Sequence, residues 1–249
     1  MMTDLTTSQY ASLALGAMGI GFSKAGFPGI SMLHVVLYAM VFGTAKSTGI
    51  LLPMLIVGDI CAIVGFGRRA DTQQIRRLLP PTVLGVVAGA LLMNRLDEHS
   101  FRLIVGAIIL TLSAIQGYRM LRPDWLTEIP RPGLLALALG LMAGLTTMMA
   151  NAAGPVVALY LLAVRLPKME LIGTVAWLFF VINVFKVPLS YSLGLINAST
   201  LQLGACFAIF IPVGLLAGRW LVSRVPQQLF NAILLGFTVI AALRFIGLL

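Results

Sequence analysis

Ten apolar segments, joined by short polar connections, leave this 249-residue chain little freedom of architecture. They run 10–22, 30–42, 47–66, 78–93, 101–121, 134–150, 156–164, 171–189, 201–222 and 230–249. With 59% hydrophobic residues and a mean hydropathy of +1.01, they are too apolar to be the half-polar helices of a soluble domain. In lipid each segment must satisfy its own backbone hydrogen bonds. The expected class is therefore all-α, a polytopic membrane protein.

Two of the connections are helix breakers inside apolar sequence. Gly21-Phe-Ser-Lys-Ala-Gly-Phe-Pro-Gly29 carries a lysine at its centre, and Asn151-Ala-Ala-Gly-Pro155 follows one half-chain later. The segments beside them would cover roughly 14 to 25 Å at about 1.5 Å per residue, short of a hydrocarbon core about 30 Å thick. They read as half-helices or re-entrant hairpins. Broken backbone of this kind must be buried in protein or line a wet cavity, where transporters hold their substrates.

The two halves echo each other. Gly85, Gly89 and Phe101 are answered by Gly214, Gly218 and Phe230 at a constant offset of 129, and Gly49 and Gly173 take like places after the breaks. The reading is two repeats of about five helical segments each, residues 1–122 and 133–249. The proline-bearing stretch 123–132 is their cytoplasmic linker.

An odd number of crossings per half inverts the second repeat, and the cations test this. With Arg68, Arg69, Arg76 and Arg77 inside, inversion also brings Arg119, Arg122, Arg131, Arg165, Lys168, Arg219 and Arg224 inside. Lys46, Arg95, Arg102 and Arg244 stay outside. A parallel arrangement splits the cations almost evenly, so positive-inside bias favours two inverted repeats whose broken helices meet near the midplane. The same bias explains the net charge of +9 without nucleic acid, because the cations sit in loops rather than on one long face. The opening Met-Met-Thr-Asp has no basic n-region, so the first segment is expected to be retained.

Gly19-Ile-Gly-Phe-Ser-Lys-Ala-Gly-Phe-Pro-Gly29 and Gly144-Leu-Thr-Thr-Met-Met-Ala-Asn-Ala-Ala-Gly-Pro155, with the glycine pairs behind them, resemble the TauE/SafE group of sulfite-exporter-like permeases. The resemblance covers nearly the whole chain. It implies movement of small anions such as sulfite, sulfonates or related organic acids, and no enzymatic cofactor. The chain departs from the commoner pattern of three adjacent glycines, having Ser-Lys-Ala-Gly and Asn-Ala-Ala-Gly instead.

Lys24 is the sharpest candidate, since a cation at mid-membrane costs on the order of 2.5 to 3.5 kcal/mol unless paired or hydrated. It reads as an anion contact beside Ser23, Gly26 and Phe27, aided by the positive end of the half-helix that follows. The bland alternative pairs it with an acid or lets it snorkel. Asn151, with Thr147 and Gly154, is the counterpart, offering an amide that donates without adding charge. Its bland alternative is a helix cap. Asp59 and Asn183 fall at like positions counted from Gly49 and Gly173, and Lys186 lies one turn beyond Asn183. Asp59 and Lys186 are expected to form a buried ion pair, or else Asp59 serves as a coupling carboxylate. His34 reads as a packing histidine or a proton relay. Metal-ligand spacing is lacking, and Cys61 and Cys206 lie in apolar runs.

The expected function is a secondary transporter, an exporter of a small anion in a cell inner or plasma membrane, working by alternating access. Its partners are the anion, the bilayer and a coupling proton or sodium ion. An anion channel and a non-transporting scaffold are the alternatives. A Walker run, a GxSxG elbow and a pair of membrane aspartates are all missing, which argues against an enzyme.

Overall fold

A computed structural model of the chain describes residues 6–27, 31–93, 132–164 and 166–222, with scattered positions within 95–122 and beyond 222. The segments expected at 101–121 and 230–249, and the linker up to 131, lie outside the continuously described residues. Among the described residues every regular element is helical. In chain order these are α1 (Thr7–Lys24), α2 (Ser31–Phe42), α3 (Thr44–Phe66), α4 (Thr72–Met93), α5 (Pro132–Ala150), α6 (Gly154–Ala163), α7 (Lys168–Ser192), α8 (Ala198–Ala208) and α9 (Phe210–Val222). Lys46–Arg69, Thr72–Met93, Gly133–Ala150 and Met169–Ser192 are long and apolar enough to cross a bilayer, and α8 with α9 makes a fifth span if the bent pair counts as one.

The helix ends follow local chemistry. Thr6 and Gln9 form a capping box that opens α1, and α1 runs on to Lys24, two residues past the apolar segment. It stops where Gly26 turns to φ +112°, a conformation open to glycine and strained for other residues. The start of α4 lies six residues ahead of the apolar segment at 78, because Asp71 Oδ1 accepts the Gln73 and Gln74 amides at 2.8 and 3.2 Å. The apolar run 201–222 reads as one segment but is bent by 42° between α8 and α9. Pro212 has no N–H to donate to the Ala208 carbonyl, and its ring crowds that carbonyl, so the helix breaks one turn earlier.

The first break is a reversal. Tyr38 Oη donates to the Leu13 carbonyl at 3.1 Å, and a β-carbon on Gly16 would touch the Tyr38 ring at 2.8 Å, so α2 doubles back along α1. At the second break Asn151 takes φ +53°, a left-handed conformation that asparagine tolerates better than most residues.

Backbones meet at glycines. A β-carbon on Gly85 would lie 2.2 Å from the Leu141 carbonyl oxygen, and one on Gly144 would lie 2.0 Å from that of Thr82, which seats α4 against α5. In the same way Gly21 faces the Ile211 carbonyl oxygen at 1.9 Å and Gly214 faces that of Met18 at 1.9 Å, which seats α1 against α9. The third contact joins α3 and α7 in antiparallel fashion. Gly49 abuts Leu195, Asp59 bonds Asn183, and Gly67 accepts the Trp177 indole N–H at 3.2 Å.

These approaches predict a contrast between glycines. Gly144→Ala is expected to cost about 1–3 kcal/mol, as overpacking against a fixed backbone does. Gly65, in α3, has nothing within 4 Å of an added β-carbon, so Gly65→Ala is expected to be neutral or slightly stabilising. Thermal unfolding in detergent checks this, and equal melting temperatures for the two variants would refute the glycine seam.

Candidate functional site

The crossing of α3 and α7 places charge in the interior. Asp59, fully buried on α3, pairs through Oδ1 with the ammonium of Lys24, the last residue of α1. Its Oδ2 accepts the Asn183 amide at 2.7 Å from α7. Lys24 also lies over the Phe179 ring, 4.8 Å from its centroid, so an aromatic face shares the cation. Three elements that are distant in sequence are thereby fastened at one point.

The second network lies one turn along α7. Lys186, 1% exposed, donates to the Thr147 carbonyl at 2.7 Å, the Thr147 hydroxyl at 3.2 Å and Asn151 Oδ1 at 2.5 Å. An ammonium has three hydrogens, and these three oxygens take them all. Every one is neutral. Asn151 passes the connection on, donating through Nδ2 to the Thr48 carbonyl at 3.2 Å. Among the described residues the two networks hold two lysines and one aspartate, which leaves one formal positive charge without a carboxylate.

Between them lies a cavity of about 40 Å³. Its polar wall comprises Ser23, Lys24, Ser31, His34, Thr147, Asn151 and Asn183, with Phe179, Ile172 and Leu55 among the apolar residues. Among the described lining residues there is no acid. Asp59 stands behind Lys24 and is not part of the wall. The arrangement presents hydrogen-bonding side chains and a cation to whatever enters.

A second recess, about 350 Å³, opens beside it and is lined by exposed Arg68, Arg69 and Arg219. Ile172 belongs to both walls, and a β-carbon on Gly26 would sit 2.7 Å from Ile172 Cδ1. The turn at Ala25 and Gly26, closed against Ile172, therefore separates the arginine recess from the inner cavity.

Two helix breaks, a buried lysine in each network and a cavity with no acid among its described lining residues make up the candidate site. The family model for the sulfite exporter TauE/SafE matches residues 13–245. The chain belongs to this family. No curated relative and no solved structure matches it. TauE/SafE proteins are membrane transporters rather than enzymes, and this member, with several helices able to cross a bilayer, is a multi-pass membrane protein.

In this TauE/SafE chain the residues singled out from sequence fall unevenly. Ser23, Lys24, Gly26, Thr147, Asn151, Gly154 and Asn183 come together around the cavity. Ser23 spends its hydroxyl on the Ile20 carbonyl at 2.8 Å. Phe27 is buried, with its ring centroid 5.1 Å from that of Phe22, and is not among the lining residues. The expected partners of the ion pair change: Asp59 takes Lys24, and Lys186 goes to neutral oxygens at the second break. Lys24 stands at the end of α1 facing the crossing point, so it reaches the carboxylate first. The Asn151 side chain links Lys186, from which its Oδ1 accepts, to the Thr48 carbonyl, to which its Nδ2 donates. Sequence reasoning had no signal for Phe179, and it saw His34 only as a packing residue or relay.

Among the described residues no group of three or more His, Cys, Asp or Glu side chains is placed to hold a metal.

Proposed function

We propose that this TauE/SafE protein is a secondary transporter that exports a small anion, with sulfite as the first candidate, through the cavity between its two breaks. The observation that carries the proposal is the wall of the cavity. Its described residues include a lysine, a histidine, two asparagines and three hydroxyl residues and no carboxylate, backed by a Lys186 that donates to three neutral oxygens. An anion entering there would meet hydrogen-bond donors, with the charge of Lys186 standing behind Thr147 and Asn151.

Inverted repeats supply the moving parts in this reading. Asp59 and Asn183, ten residues after Gly49 and Gly173, touch where α3 and α7 cross in opposite directions. Like positions of antiparallel helices meet where a two-fold axis in the membrane plane would pass. The α1/α9 and α4/α5 glycine contacts exchange under the same operation. Rocking about that axis opens the cavity alternately to either side. The arginine recess is the cytoplasmic vestibule in this scheme, and Ile172 against Gly26 is its inner closure. An inside-negative potential favours anion exit by about 2.3 kcal/mol per charge per 100 mV, so export runs with little coupling, while uptake would need a symported proton or sodium ion.

Flux into proteoliposomes tests the proposal. Saturable radiolabelled sulfite transport with counterflow is the expected result. Flux linear in concentration without counterflow would make the protein a channel, and no flux for sulfite, thiosulfate, sulfonates or carboxylates would overturn transport of this substrate class.

A further inference from the structure

His34 is fully buried in α2, and neither ring nitrogen has a hydrogen-bond partner. Such groups are rare in folded proteins, because a buried donor or acceptor left unmade is costly. The residue has not simply been packed away in apolar surroundings. It lines the same cavity as Lys24, Ser31, Asn151 and Asn183, on a helix folded back along α1 so that the imidazole and the ammonium belong to one wall. Packing holds it there, since the space beside Gly16 is already filled by Tyr38 and the His34 β-carbon.

We propose that His34 is a direct ligand of the transported anion, donating a ring N–H to one oxygen while Lys24 takes another, and that the site selects compact oxyanions with at least two accepting oxygens. The inference rests on the anion-transport reading above and extends it to a residue and a substrate class. In either tautomer one ring nitrogen carries hydrogen, so the imidazole donates without needing to gain a charge. Lys24 is already held by Asp59 and the face of Phe179, so a second donor is needed to fix an anion's orientation. Size points the same way. A cavity of about 40 Å³ suits a compact oxyanion such as sulfite better than a sulfonate with a longer carbon tail.

His34 and His99 are the two histidines of the chain, so protein labelled with ¹⁵N-histidine carries two imidazoles, and a His99→Asn variant assigns them. Sodium sulfite titrated into the intact detergent-solubilised protein is expected to shift the His34 ring nitrogens saturably, while sodium chloride at equal ionic strength does not. A longer alkyl sulfonate is expected to bind at least tenfold more weakly. His34→Phe is expected to weaken sulfite about tenfold or more, and His34→Gln, which keeps a neutral donor, to recover most of that loss. Saturable sulfite binding by thermal shift with the His34 signals unmoved overturns this inference and leaves the transport reading standing. Wild-type affinity in His34→Phe does the same. No saturable binding by any anion in the screen removes both.

Discussion

Lys24→Met is expected to abolish anion flux and weaken the fold at once, and adding Asp59→Asn is expected to recover the fold without the flux. If Lys24 were an anion contact only, its loss would stop transport and leave the fold intact. The buried pair changes that expectation. Removing Lys24 leaves a fully buried carboxylate facing an apolar side chain, and breaking such a pair costs about 3–5 kcal/mol. An amide at position 59 removes the stranded charge and keeps a partner for Asn183, so the double variant should melt near the wild-type temperature. It has no cation at the cavity wall, so transport should stay lost. Thermal unfolding in detergent and vesicle flux, run on both variants, separate the two effects. Wild-type flux from the double variant would make Lys24 a structural residue alone. An unchanged melting temperature for Lys24→Met would show that the carboxylate does not depend on its partner.

What the sequence made legible was order and register. The breaks and the short helices behind them follow from glycine and proline, and glycine spacing puts Asp59 and Asn183 at like positions of the two halves; that these two side chains touch is a finding of the structure, since the sequence pointed Asp59 at Lys186. The choice of partner for Asp59 was not legible. A lysine reaches on four flexible carbons, so whether Lys24 or Lys186 arrives depends on how α1 and α7 are rotated about their axes, and rotation is set by packing. Lys186 instead reaches the second break, where the left-handed turn at Asn151 brings a carbonyl and an amide oxygen within its range. Phe27 was placed by sequence only through its position in the break, and the structure sets its ring against that of Phe22, five residues earlier. The bend at Ile209 was foreshadowed by Pro212, whose effect falls a turn before the proline itself.

Lys186→Met is the second variant with a large expected effect, and it tests where the positive charge of the site resides. Lys24 is neutralised by Asp59, so in the empty protein the charge that would hold an anion comes chiefly from Lys186, although its ammonium is turned toward Thr147 and Asn151. Asn151 relays this polarity. Its amide oxygen is drawn to Lys186, its Nδ2 gives one hydrogen to Thr48, and the second hydrogen remains for the cavity that Asn151 lines. Methionine at 186 keeps much of the length and removes both the charge and the three donated bonds. Apparent sulfite affinity in vesicle flux is then expected to fall at least about a hundredfold, near the upper end for a hydrogen bond to a charged group. Lys186→Arg retains the charge and is expected to keep measurable transport. If methionine and arginine reduce flux equally, shape rather than charge governs the second break. If methionine leaves affinity unchanged, Lys24 and His34 hold the anion without the charge at the second break.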